Sequence, residues 1–353
     1  MHARRLMVLA LPLLTACASS SSDGGDADTD TSDTSSSVGD GDTGDGDADT
    51  GDGDGDTGDG DGDTGDGDAG DGDGDAGDGD GDGDGDGDGD GDGDGDGDGD
   101  ADTGGSPGCT DGAGLAEGEH TFMLDDYERR YILRLPENYS PDQPWPLIFA
   151  LHGNGGNPSY WDELGGDRDI RTAFAQEAII IIPEAINNAW RDYDAAPETW
   201  PAGIELELNY FDTVYESART ELCIDEDNVF SMGFSGGGSF SGVLGCRREY
   251  IRAIAVGGSV IYFEPEQCVG TPAAWVTIGD GELSPGREAF RDFFRDLAGC
   301  QESATPGMPE GCVDYEGCAL DTPVRFCAHP GGHVWPSIGT EQTQVFFQQF
   351  YQG

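Results

Sequence analysis

Asn228-Val229-Phe230-Ser231-Met232-Gly233-Phe234-Ser235-Gly236-Gly237 reads as a buried strand that runs into a G-x-S-x-G turn, with a helix-like stretch behind it. A serine on so sharp a strand-to-helix turn needs small residues two positions to either side, because larger side chains would crowd the bend. The helix that starts at Gly236 points free N–H groups back toward the serine, where they could meet a developing negative oxygen. Five residues of this kind match many glycine-rich loops, so the rest of the chain has to decide what the turn is for.

Around the turn, apolar runs alternate with helical spacing. Residues 129–136 alternate as an early antiparallel strand. Buried strands are expected at 146–151, 179–182, 229–234, 251–256, 273–278 and 324–328, and helices at 170–178, 206–222, 237–250, 287–297 and 341–351. Strands that alternate with helices predict an α/β fold, a mostly parallel sheet covered by helices on both faces. Sites on such sheets lie beyond the carboxyl ends of the strands. Ser235, the loop that begins at His152, the loop that begins at Gly279, and His333 all fall just past predicted strand ends.

Composition divides the chain in three. Residues 1–16 combine Arg4 and Arg5 with the apolar stretch 6–14 and read as an export signal, with a core too short to span a membrane. Leu14-Thr15-Ala16-Cys17 resembles the bacterial lipobox, so Cys17 is expected to carry lipid and to be the chain's only attachment to a membrane. Ala18, rather than aspartate, follows it, and an outer-membrane, surface or extracellular address is expected. Residues 17–106 form a Gly-Asp-rich linker, whose stretch 19–106 holds 34 Asp and no Glu, Lys or Arg. Nothing there can offset the entropy of ordering, so a solvated, charge-extended tether is expected. Its strict alternation puts glycine where a calcium loop needs its bidentate carboxylate, and only diffuse calcium association is expected.

Residues 107–353 are long enough for one domain with its own core. They carry 14 Arg against 39 acidic residues, a balance of −25, which argues against nucleic acid or anionic lipid as ligands. Of nine cysteines, Cys17 is assigned to lipid. Cys109, Cys223, Cys246, Cys268, Cys300, Cys312, Cys318 and Cys327 remain, an even set with no C-x-x-C pair, read as disulfides of an exported protein rather than zinc ligands.

If Ser235 is a nucleophile, it needs a base. The chain order of α/β-hydrolases, nucleophile then acid then base, puts the histidine last, after the final strand. His333, behind Gly331-Gly332, fits that place, and His329 reads as packed against the strand. The acid should follow the strand 273–278. Glu282 has the usual spacing, and Asp280 is the alternative. Its part would be to fix the imidazole tautomer and stabilise the imidazolium. His152-Gly153-Asn154-Gly155-Gly156 resembles an H-G-x-G oxyanion loop, in which an N–H of Gly153 or Asn154 would join that of Gly236. Trp335, beside His333, is expected to line the cleft.

These segments, with Leu222-Cys223-Ile224-Asp225, 293–300, Tyr315-Glu316-Gly317-Cys318 and above all the run from Val324 to Pro336, resemble the polyhydroxybutyrate-depolymerase-like and feruloyl-esterase group of carbohydrate esterase family 1. The resemblance covers residues 109–353. It implies a secreted serine esterase of the α/β-hydrolase fold that needs no metal or organic cofactor and acts on feruloyl esters of xylan. A polyester depolymerase or an acetyl esterase is the alternative within enzymes, and a non-catalytic polysaccharide-binding lipoprotein the alternative outside them. The departure from the family pattern is Gly279-Asp280-Gly281-Glu282, which stands in place of a histidine-glycine start and an aspartate. The expected oligomeric state is a monomer.

Overall fold

The computed structural model describes residues 105–191 and 196–351. The expected signal segment, Cys17 and the linker up to residue 104 lie outside the described residues. In chain order the strands are β1 (Gly118–Leu124), β2 (Tyr127–Arg134), β3 (Trp145–Leu151), β4 (Ile179–Pro183), β5 (Ile224–Phe234), β6 (Ala253–Gly257), β7 (Ala273–Gly279), β8 (Ala304–Pro306), β9 (Cys312–Tyr315) and β10 (Val324–His329). The helices are α1 (Ile170–Ala173), α2 (Trp200–Glu221), α3 (Gly236–Arg247), α4 (Pro285–Leu297) and α5 (Gly339–Tyr351).

All described strands join one sheet in the order β1-β2-β4-β3-β5-β6-β7-β10-β9-β8. The central run from β4 to β10 is parallel, and antiparallel pairs close both ends. The alternation of strand side chains builds two cores. Leu147, Phe149 and Leu151 of β3, Ile181 of β4, Val229 of β5 and Val276 of β7 pack with Leu208, Phe211, Phe240, Phe290 and Phe294 from α2, α3 and α4. Ile148, Ala150, Ile182, Phe230, Met232 and Trp275 face the other way, toward Ile170 of α1 and Phe346 and Phe347 of α5. Near-continuous apolar strands are what a sheet covered on both faces requires. The expected α/β fold is the observed one.

Helix α3 is rich in glycine and serine, which are poor helix formers. It forms because tertiary packing overrides propensity, with eleven of its residues buried between the sheet and its neighbours. Helix α1 is shorter than the expected 170–178. Asp169 caps it by accepting from the Thr172 N–H at 2.9 Å, and after Ala173 the chain turns so that Ala178 can lead into β4. Three strands lie outside the expected set: β1 is an edge strand that alternates half-buried and exposed residues, and β8 and β9 are only three and four residues long.

All eight cysteines of the folded part are paired: Cys109–Cys223, Cys246–Cys268, Cys300–Cys318 and Cys312–Cys327. Four disulfides fit an exported protein in an oxidising compartment. Cys246–Cys268 ties the end of α3 to the loop before β7 and closes a sequence separation of 22 residues. Replacing both by alanine is expected to cost about 3 kcal/mol from the loss of this closed loop, read as a lower urea midpoint. An unchanged midpoint would contradict it.

The fold also reaches further back than residue 107. Ser106 is buried, its hydroxyl donates to the Leu222 carbonyl at 2.8 Å, and its N–H donates to the Ile224 carbonyl at 2.9 Å. Composition alone had put Ser106 in the linker, because a lone serine carries no burial signal. No helix among the described residues is long and apolar enough to cross a membrane.

Candidate active site

Ser235 sits between β5 and α3 with φ 57° and ψ −122°, a backbone region costly for any residue with a side chain. Two contacts hold it there. Its N–H donates to the Gly257 carbonyl at the end of β6 (2.8 Å), and its carbonyl accepts from the Ser239 N–H (2.9 Å). The glycines of the motif follow from close approach. A Cβ on Gly233 would lie 2.5 Å from the Gly237 carbonyl carbon, and a Cβ on Gly237 would collide with the Leu151 and His152 carbonyls. Gly236 is covered by the Asn154 carboxamide, which leaves no room for a Cβ.

His333 arrives from the loop after β10. Its Nε2 lies 2.7 Å from the Ser235 Oγ, and its Nδ1 bonds to the Glu282 carboxylate. Glu282 ends the single turn Asp280–Glu282 that follows β7. With Glu282 accepting, the ring proton is on Nδ1, so Nε2 is free to accept from the serine hydroxyl. Acid turn and base loop are joined through their backbones, the Gly281 N–H donating to the Gly331 carbonyl at 2.7 Å. The ring is also held by packing: the Phe234 ring lies at 4.7 Å between centroids, and a Cβ on Gly258 would come 2.7 Å from the ring.

Of the expected residues, the structure thus gathers Ser235, His333 and Glu282. Asp280 points into solvent and does not meet the ring. His329 is 7% exposed, and burial lowers its pKa from the usual histidine value. Trp335 departs from expectation. It is 5% exposed, stands edge-on to Trp161 (5.0 Å) and Trp275 (5.9 Å), and donates its Nε1–H to the Thr340 hydroxyl at 3.2 Å. It supports the His333 loop from inside the core rather than lining a cleft, as so large an apolar ring favours.

Gly153 faces Ser235, and a Cβ there would sit 3.4 Å from the serine Cβ. The first N–H groups of α3, beginning with Gly236, have no acceptor within the helix. Gly153 and the first turn of α3 therefore flank Ser235 from two sides. His152 is fully buried and bridges this loop: its Nδ1–H donates to the Gly153 carbonyl (2.8 Å) and its Nε2 accepts from the Ala185 N–H (3.3 Å). Burial lowers its pKa, which keeps the ring neutral.

Sequence reasoning missed the brace behind that loop. The Trp190 indole N–H donates to the His152 carbonyl (2.6 Å), the Trp190 N–H donates to the Asn154 Oδ1 (3.2 Å), and the Gly155 N–H donates to the Asn188 carbonyl (2.7 Å). Asn187 and Asn188 are both left-handed, at φ 53° and 58°. Glu207 of α2 holds this segment by accepting from the Ile186 N–H at 3.0 Å, and is itself paired at 2.6 Å with Arg129 of β2. Adjacent asparagines are the one signal in the sequence, since they tolerate the left-handed region better than most residues. Arg287 of α4 was missed as well. It lies against Glu282 and His333 with no sequence motif to announce it.

Among the described residues no group of three or more His, Cys, Asp or Glu side chains is placed to hold a metal ion.

No protein-family model matches the chain. A probable feruloyl esterase C of Aspergillus niger is 30% identical over 258 residues, which span 67% of this chain and 87% of that protein. A feruloyl esterase D of Neurospora crassa is 30% identical over 253 residues, 65% of this chain and 82% of that protein. A feruloyl esterase C of Emericella nidulans is 30% identical over 268 residues, 69% and 90% respectively. A solved ferulic acid esterase is 17% identical with a TM-score of 0.49, over 67% of this chain and 98% of that one. With 30% identity sustained over 87% of the Aspergillus niger protein, the chain belongs to the feruloyl esterase family and is a carboxylic ester hydrolase.

Proposed function

We propose that the protein releases hydroxycinnamates from esterified plant polysaccharide, with Ser235 as nucleophile, His333 as general base and acid, and Glu282 as the group that orients His333. What carries the reading is one contact chain: the Ser235 Oγ at 2.7 Å from His333 Nε2, with His333 Nδ1 on Glu282. The serine oxygen bonds to the ester carbonyl carbon as its proton passes to Nε2. The carbonyl oxygen takes the negative charge and is met by the N–H of Gly236 and by that of Gly153 or Asn154. Collapse breaks the bond to the sugar oxygen, which leaves with the proton from Nε2. Water then repeats the sequence on the acyl-serine and frees the acid. Asp280 takes no part.

The chain acts as a monomer, exported through residues 1–16 and held at the outer membrane or cell surface by lipid on Cys17. What supports this is the lipobox-like Leu14-Thr15-Ala16-Cys17 and the Gly-Asp-rich composition of the residues that follow it.

The test is a substrate panel, with methyl ferulate, p-nitrophenyl acetate and a 3-hydroxybutyrate oligomer offered to the disulfide-bonded protein. The highest kcat/KM is expected on methyl ferulate. Preference for the oligomer would assign a polyester depolymerase instead, and a folded protein inert on all three would leave a binding protein.

A further inference from the structure

Arg287 lies at the first turn of α4, and its guanidinium meets both members of the acid–base pair. Its Nε stands 2.9 Å from the Glu282 carboxylate, on the same oxygen that His333 uses, and its Nη2 is 3.2 Å from His333 Nδ1. The Glu282 side chain is 6% exposed and that of Arg287 22%. A glutamate carries one more rotatable bond than the aspartate this position usually holds, and an ion pair to its nearly buried carboxylate can fix it. The other carboxylate oxygen accepts from the Gly279 N–H at 3.2 Å.

The contact with His333 Nδ1 has a chemical consequence. Arginine can only donate. Nδ1 can donate to Glu282 or accept from Arg287, but not both at once. The first arrangement leaves Nε2 ready to take the serine proton. The second would put the proton on Nε2, the wrong tautomer for a base. Once His333 is imidazolium, a fixed positive charge also stands beside it. The charged groups in contact with the ring are Glu282 from the turn after β7 and Arg287 from α4, while Asp280 and Glu282 act on His329 at the end of β10. Among them Arg287 is the fixed cation.

The geometry points to Arg287 as a positioning residue with two effects. It anchors the Glu282 carboxylate in line with Nδ1, and its charge opposes the imidazolium form of His333. This inference rests on the triad proposed above.

The experiment is the pH profile of kcat/KM on methyl ferulate for the full chain and for Arg287→Met, Arg287→Gln and Arg287→Lys, beside Ser235→Ala and with a thermal melt of each. Removing the positive charge makes the imidazolium easier to form. The acid limb is therefore expected to move up by roughly one pH unit in Arg287→Met. Arg287→Gln keeps a polar side chain beside Glu282 without the charge. It should show the same displacement with a smaller fall in plateau kcat, and it serves in place of the methionine variant if that one does not fold. Arg287→Lys should keep the limb near its original position. A merely structural role would lower the melting temperature and scale the whole profile down without moving the limb. An unmoved limb in a folded neutral variant, or an equal displacement in Arg287→Lys, overturns the assignment of Arg287. Full activity in Ser235→Ala would instead overturn the triad itself.

Discussion

Ser235→Ala is expected to lower kcat on methyl ferulate by about 10⁴-fold or more, with KM little changed. In the proposed mechanism the serine oxygen forms the covalent bond, and it is the group that lies on His333 Nε2. Residual turnover would come from the N–H groups beside the turn, which still polarise the carbonyl and admit water. The backbone at φ 57° strains alanine about as much as serine, so the variant should melt close to the parent. His333→Gln should fall by a comparable factor. The double variant should be hardly worse than either single one, because members of a relay that acts as a unit do not contribute additively. Initial rates of ferulate release, with circular dichroism as the check on folding, read all three. Additive losses would mean that serine and histidine act independently.

Glu207→Leu carries the largest expected effect on stability, a loss of about 3–5 kcal/mol, because it leaves the Arg129 guanidinium buried without its anion. The two side chains are 3% and 2% exposed. Burial raises the Glu207 pKa, and the attraction of Arg129 and the Ile186 N–H oppose that rise. Arg129 has further partners in the Glu184 carbonyl at 3.2 Å and the Tyr210 ring, 3.7 Å below the guanidinium carbon. Neither neutralises it. The effect should reach the reaction too. Glu207 holds Ile186, the turn at Ile186–Asn188 bonds to Gly155, and Trp190 bonds to His152 and Asn154. Release of that brace should loosen the donors proposed to meet the oxyanion, so kcat should fall roughly tenfold or more while KM changes little. Adding Arg129→Met should restore most of the stability, since two apolar side chains can fill a site from which both charges are gone. Urea melts and steady-state kinetics of the single and double variants check this. Equal stability of Glu207→Leu and the parent would contradict it.

The sequence announced those parts of the fold that depend on periodicity and on bond-making side chains. The apolar runs that became β3, β4, β5 and β7 are visible because both of their faces are buried. Ser235 and His333 are visible because a strained turn and a glycine-flanked loop leave a pattern in neighbouring residues. Glu282 was only half legible: its spacing matched, but the commoner residue type, aspartate, stood two positions earlier. β8 and β9 were not legible, because three and four residues are too few to show alternation, and β9 is held to β10 by Cys312–Cys327. Trp335 was misread because sequence neighbourhood to a reactive histidine does not fix which way a side chain points. The braces, Arg129 with Glu207 and Arg287 with Glu282, pair residues that lie far apart or on different elements, and no local pattern encodes such a meeting.

The central claim is that Ser235, activated by His333, forms the acyl-enzyme. Its most direct test is stoichiometric labelling with a serine-reactive fluorophosphonate, followed by peptide mapping and an assay on methyl ferulate. The account predicts one adduct, on the peptide that carries Ser235, with ferulate release lost in proportion to labelling. It also predicts no adduct in Ser235→Ala and slow labelling in His333→Gln. A modified residue elsewhere, or undiminished ferulate release from a protein fully labelled at Ser235, would contradict it.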